Sequence, residues 1–222
     1  MTQFPFAAVG FDLDGTLLDT HHDLGMAVNH ALAAGGFDPV PLNSARSLIG
    51  GGAKVMLQRA VEQQGGIDDS ELHRLYKELL GYYSKNCAVH TRPFPGAIEC
   101  LEELAAHDVA VSVVTNKFES FARDILTQLG LIDRFVAVIG GDTMGKGRAK
   151  PAPDPVLEAQ RISGGGNLAF VGDSSFDVKA ARAANVPVVV AAYGYCDHPP
   201  HELGGDAVID SLDQLVGALA KL

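Results

Sequence analysis

Two aspartates two residues apart stand at the end of an apolar run and are followed at once by Gly15 and Thr16, in the segment Asp12-Leu13-Asp14-Gly15-Thr16-Leu17-Leu18-Asp19. Two carboxylates beside a buried strand cost free energy unless an opposite charge offsets them, and a divalent cation does so. A carboxylate can also attack phosphorus to give an acyl phosphate that water then hydrolyses, which divides one hard step into two easier ones. The attacking group, the phosphate and the leaving group are all anionic or becoming so. Mg²⁺ is therefore the natural counter-charge, held by a few carboxylates together with water and substrate oxygen. On this reading Asp12 serves as nucleophile and metal ligand. Asp14 protonates the leaving oxygen and later takes a proton from the attacking water. Standing alone, the same residues leave a lesser alternative, a turn at a strand end, where Asp and Gly are common.

Three further segments add to the first. Val109 to Val114 runs directly into Thr115, Asn116 and Lys117, so a hydroxyl and an amide leave a strand end fit to hydrogen-bond phosphoryl oxygens. Lys150, ahead of Pro151, can cancel charge on both the aspartate and the phosphate as their bond forms. Leu168 to Val171 leads into Gly172-Asp173-Ser174-Ser175-Phe176-Asp177, which places Asp173 to complete a metal site. Asp177, one helical turn later, serves as a ligand or as an outer partner. Asp173 and Ser174 could also cap the helix that follows, alongside a metal role. Lys146 and Arg148 read as solvated charges.

These residues need a scaffold, and the hydrophobic pattern supplies one. Apolar runs at 6–11, 109–114, 135–139, 168–171 and 187–192 read as buried strands. Helical spacing fills 97–106, 120–129, 154–162, 175–184 and 212–219. The alternation predicts an α/β fold, a Rossmann-like mostly parallel sheet whose sites lie at the carboxyl ends of its strands. Residues 20–91 break the rhythm with helical stretches at 23–34, 55–61 and 71–83. They predict a helical insert, with 1–19 and 92–222 forming the core. Gly164 to Gly166 reads as a turn, because no Lys-Ser/Thr follows to make a phosphate loop.

With 222 residues, of which 47% are hydrophobic, the chain can bury a sizeable core. Its formal charge of -10, without a Lys/Arg block, disfavours nucleic acid and anionic membranes as partners. A small anionic substrate stays compatible, because a metal or a few local cations override a distant field. Cys87, Cys100 and Cys196 show no paired spacing, and no stretch reaches the length of a membrane span. A cytoplasmic protein, monomeric or homodimeric, is expected.

Together the four segments, in this order, resemble the haloacid dehalogenase superfamily of phosphatases over essentially the whole chain. The resemblance implies a Rossmann-like core with a helical cap inserted after the first strand. It makes Asp12 the nucleophile and Asp14 the acid/base that also lends Mg²⁺ its main-chain carbonyl. Thr115 and Lys150 would hold the phosphoryl group, and Asp12 and Asp173 would give carboxylates to the metal. Within the superfamily the chain is most similar to phosphoglycolate phosphatases, through Asp23 to Leu32, Arg46 to Ala60, Thr91 to Leu104 and Tyr193-Gly194-Tyr195. It departs from them at Cys196, where Asn is expected, and at His21-His22, where Ser- or Pro-like residues are usual.

The expected activity is hydrolysis of a small phosphorylated metabolite, 2-phosphoglycolate foremost. Other small phosphorylated acids or sugars, a phosphomutase, a pyrophosphatase and a non-catalytic metabolite-binding module are the alternatives. Gly50 to Gly52, with Arg46 and Lys54 nearby, could form a loop that closes over the substrate and reads a carboxylate, or could simply begin a helix. A Schiff-base role for Lys54 finds no support in the residues around it.

Overall fold

A computed structural model describes residues 4–49 and 51–222. Gly50 of the three-glycine segment lies outside the described residues. The chain opens with β1 (Ala8–Phe11) and the short β2 (Leu18–Asp19), then runs through α1 (His21–Ala34), α2 (Leu42–Ala45), α3 (Ala53–Glu62) and α4 (Asp69–Asn86). After β3 (Arg92–Pro93) come α5 (Ala97–Ala106), β4 (Ala110–Val114), α6 (Glu119–Gln128), β5 (Ala137–Ile139) and α7 (Asp154–Ile162). The chain ends with β6 (Leu168–Gly172), α8 (Ser175–Ala183), β7 (Val188–Ala191), β8 (Ala207–Ile209) and α9 (Leu215–Leu219). It divides into two compact units, Met1–Asp19 with Pro93–Leu222, and Thr20–Arg92.

In the larger unit, six strands form a sheet in the order β5-β4-β1-β6-β7-β8 among the described residues, every neighbouring pair parallel. The α/β class and parallel sheet expected from the alternation are therefore present. The apolar runs become strands because helices cover both faces: β1, β6 and β7 are buried along their whole length. Gly10 in β1 leaves room for a neighbour, since a Cβ there would stand 3.0 Å from the Phe170 ring. The strand order reverses at β1, which puts a topological switch point at the carboxyl ends of β1, β4 and β6. Phe11 is level with Val113 on one side and Val171 on the other, so Asp12, Thr115 and Asp173 emerge along one edge.

Several details depart from the sequence reading, among them β2, β3 and α2, which it did not foresee, and a tight turn at Leu212–Gln214 where a helix was expected. The run at 135–139 yields strand only from Ala137, because a tight turn at Ile132–Arg134 leaves Val136 exposed. β8 went unforeseen; it has three residues and only Ile209 is fully buried, so no long apolar run marks it.

The smaller unit is helical. α1 and α4 form its centre, with Leu24, Val28, Ala31 and Leu32 on one helix and Leu72, Leu75, Leu79 and Tyr83 on the other. α4 begins on Asp68, whose carboxylate accepts the Glu71 N–H at 2.8 Å. Cys87, Cys100 and Cys196 all stand as thiols. Among the described residues no helix is long and apolar enough to cross a membrane.

α4 supplies a paired stability test. Leu75 is fully buried, so Leu75→Ala should cost about 2–5 kcal/mol. Gly81 is exposed in the middle of the same helix, with nothing within 4 Å of the place an alanine methyl would take, so Gly81→Ala should stabilise by roughly 0.5–1 kcal/mol. Urea denaturation checks both; the same sign for the two substitutions would contradict the packing described.

Candidate active site

At the carboxyl edge of the sheet the larger unit gathers the residues singled out in its sequence. Asp12 follows β1, Thr115 follows β4 and Asp173 follows β6, all three nearly excluded from solvent. Lys150, from the segment before α7, reaches into the same place and is 4% exposed. Its ammonium donates to Asp12 Oδ1 at 2.7 Å and to Asp177 Oδ1 at 2.6 Å, and lies 5.5 Å from the centre of the Phe170 ring.

Asp177 is committed to structure on both oxygens. One takes Lys150, and the other accepts the Ser174 N–H at 3.0 Å and the Ser174 hydroxyl at 2.6 Å, which caps α8. Of the two roles left open for it, an outer partner fits this wiring. Asp173 accepts the Tyr195 N–H on Oδ2 at 2.6 Å. The backbone makes room for it: a Cβ on Gly15 would lie 2.2 Å from Asp173 Oδ2, and one on Gly194 would lie 2.4 Å from Asp173 Cβ. Gly15 also has a φ of +89°, a conformation that glycine adopts without strain. The Asp12–Leu18 turn closes on itself through the Leu13 carbonyl, which accepts from Leu17 and Leu18. The Tyr193–Tyr195 run then braces it, with Tyr193 donating to the Thr16 carbonyl and Tyr195 to Asp19, both at 2.8 Å.

Asp14 is only partly covered, and its Oδ2 pairs with the buried ammonium of Lys117 at 3.0 Å. Its Oδ1 is buried with no hydrogen-bond partner among the described residues. This role for Lys117 was not foreseen from the sequence; its place two residues after Thr115 on the same strand end was the available signal. Asn116 turns its amide toward the Lys150 carbonyl at 3.0 Å, so its Nδ2 orients the lysine segment, while Oδ1 is buried without a partner among the described residues. Thr115 Oγ1 accepts the Lys117 N–H at 3.2 Å. Arg46 and Lys54 belong to the other compact unit, Thr20–Arg92.

The electrostatics set what this cluster can hold. Asp12, Asp14, Asp173 and Asp177 face two ammonium groups, Lys117 and Lys150, so the fully ionised cluster carries two uncompensated negative charges. Burial raises the Asp12 carboxyl above its usual range, Lys150 opposes the shift, and the Asp177 and Asp14 charges add to it. Asp173 is raised well above its usual range by burial and then by the charges of Asp177 and Asp12. For Lys150 burial acts downward, yet the two carboxylates raise it overall, so it stays an ammonium. Oxygens of Asp12, Asp173 and Asp177 lie within 4.8 Å of one another. An oxygen-rich, doubly negative, nearly dry cluster fits a hard divalent cation. Asp12 and Asp173 would hold it.

Residues 9–191 match the family model described as haloacid dehalogenase-like hydrolase. A phosphoglycolate phosphatase of Mesorhizobium japonicum is 38% identical over 214 residues, covering 95% of this chain and 93% of that protein. An N-acetylmuramic acid 6-phosphate phosphatase of Pseudomonas aeruginosa is 34% identical over 227 residues, covering 100% and 98%. The crystal structure of a predicted phosphoglycolate phosphatase from Haemophilus somnus superposes with a TM-score of 0.88 at 32% identity, covering 98% of each chain.

The raised carboxyls give a pH test with a definite sign. A cation must displace the proton that a raised carboxyl retains, so affinity falls on acidification. Calorimetric titration of the metal-free protein with Mg²⁺ should show about tenfold weaker binding at pH 6 than at pH 8 for one displaced proton, with proton release. Affinity that stays constant across this range would contradict the cluster as described.

Proposed function

The chain belongs to the haloacid dehalogenase-like hydrolase family, and on that footing we propose that it is a Mg²⁺-dependent phosphatase acting through a phosphorylated Asp12. The observation that carries the reading is the buried carboxylate cluster with two negative charges to spare, in which Lys150 engages one oxygen of Asp12. The other oxygen is the one we assign to phosphorus.

Asp12, Asp173 and the Asp14 carbonyl would hold Mg²⁺, which would supply positive charge to offset the phosphoryl oxygens. Asp12 attacks phosphorus, and the bond to the leaving oxygen breaks as Asp14 gives that oxygen a proton. Thr115 donates its hydroxyl to a phosphoryl oxygen, and Lys150 compensates charge on Asp12 and the phosphate together. Asn116 holds the Lys150 segment in place through its amide. Water then attacks the acyl phosphate, Asp14 takes its proton, and phosphate leaves with Asp12 restored. Lys117 fixes the Asp14 carboxyl for both proton transfers.

For the substrate we propose a phosphate monoester that also bears a carboxylate, with 2-phosphoglycolate first. Two relatives are named for phosphoglycolate and for N-acetylmuramic acid 6-phosphate, and both compounds carry that pair of groups. The second is the alternative substrate, since that relative matches the chain from end to end. The helical unit, Thr20–Arg92, we assign as a cap that selects the substrate, with Arg46 and Lys54 as candidate readers of the carboxylate.

Leaving-group chemistry tests the roles. Asp12→Asn should abolish turnover of every ester. Asp14→Asn should lower turnover of 2-phosphoglycolate by roughly 10²–10⁴-fold, because an alkoxide leaves poorly without a proton. An aryl phosphate, whose leaving group needs no proton, should still phosphorylate Asp12 in that variant and give a burst followed by slow release. Lys117→Met should follow Asp14→Asn in milder form. Steady-state and burst kinetics with Mg²⁺ and with chelator make the comparison. Undiminished turnover in Asp12→Asn, or turnover without metal, would contradict the mechanism. A neutral sugar phosphate preferred over both carboxylated esters by kcat/KM would overturn the substrate class alone.

A further inference from the structure

The helical unit contains a second group of metal-ligating side chains, separate from the carboxylate cluster and made of different chemistry. His22 and Asp23 lie in the first turn of α1, and His90 precedes the point where the chain leaves this unit. One ligand atom from each lies within 4.8 Å of the others. The two imidazole rings are 4.0 Å apart at their centres and inclined by 49°. His22 Nδ1 is buried and has no hydrogen-bond partner among the described residues, so a strong donor or acceptor is sequestered without anything from the protein to meet it.

From these observations we propose that His22, Asp23 and His90 bind a transition-metal ion of the Zn²⁺ class. Two imidazoles and one carboxylate form a ligand set suited to Zn²⁺ and its neighbours, whereas Mg²⁺ prefers an all-oxygen shell. Asp23 is already oriented. Its carboxylate accepts the His90 N–H across both oxygens at 3.0 and 2.9 Å, the Thr91 N–H at 2.8 Å and the Thr91 hydroxyl at 2.8 Å. Three of those four contacts fall on Oδ2, which leaves Oδ1 the capacity to ligate. Tetrahedral Zn²⁺ brings its ligand atoms to about 3.3 Å from one another, so the donors must draw together slightly. His90 is exposed and has the freedom to do this. A water completes the shell. The ion would join residues 67 or more positions apart, tying the first turn of α1 to the end of the helical unit, and such a closure stabilises the folded unit.

The test uses the intact protein stripped with chelator and returned to millimolar Mg²⁺, which occupies the carboxylate cluster. Zn²⁺ titration by calorimetry should reveal one ion per chain that Mg²⁺ does not displace, with a melting temperature raised by several degrees. Co²⁺ should give the intense visible bands of a four-coordinate site. His22→Ala and His90→Ala should each weaken Zn²⁺ binding at least tenfold and leave Mg²⁺-supported aryl phosphate hydrolysis unchanged. If His22→Ala fails to fold, the exposed His90 decides the matter by itself. Absence of Mg²⁺-resistant Zn²⁺ binding would overturn the proposal. So would binding that survives His90→Ala, or that disappears in Asp173→Asn, since the ion would then belong elsewhere.

Discussion

The larger unit is organised around an electrostatic imbalance. Four carboxylates are brought to one edge of a parallel sheet and, among the described residues, two ammonium groups pair with them. An uncompensated charge removed from water costs several kcal/mol, so the arrangement cannot contribute to stability by itself. The remaining charge is relieved either by protons on the raised Asp12 and Asp173 carboxyls or by a bound cation that displaces them. Lys150 is the pivot, because it is buried against Asp12 and Asp177 together and keeps two carboxylates from repelling each other outright.

The backbone is shaped to the same end. The strand order reverses at β1, which opens a crevice at the carboxyl edge, and register brings Asp12, Thr115 and Asp173 to that edge from three neighbouring strands. Glycines at 15 and 194 allow main chain to close around Asp173 where any side chain would collide with it. The Tyr193–Tyr195 run then holds the first turn through its carbonyl and through Asp19. Rigid elements thus carry the acidic groups, and short hydrogen-bonded turns fix their directions, the combination that preorganised electrostatic catalysis requires.

Much of this was legible in the amino-acid order because strand ends announce themselves. An apolar run that stops at Asp12, at Thr115 or at Gly172-Asp173 specifies both a buried strand and what stands at its exit. What could not be read was direction. Sequence distinguishes neither an Asn116 that faces a phosphate from one that grips the Lys150 carbonyl, nor an Asp177 that ligates from one that caps α8, because each choice is a rotamer decided by packing. The pairing of Lys117 with Asp14 spans about a hundred residues and has no local signature. β8 escaped for the opposite reason, since three residues at a sheet edge, of which only Ile209 is fully buried, carry too little pattern to register.

A crystal structure of the protein with Mg²⁺ and beryllium trifluoride, a mimic of a phosphoryl group bonded to carboxylate, bears on all of this at once. The proposed chemistry requires the adduct on a carboxylate oxygen of Asp12, the ion about 2.1 Å from oxygens of Asp12 and Asp173, and the Lys150 ammonium on the adduct. An adduct on another residue, or an ion held away from Asp12 and Asp173, would contradict it.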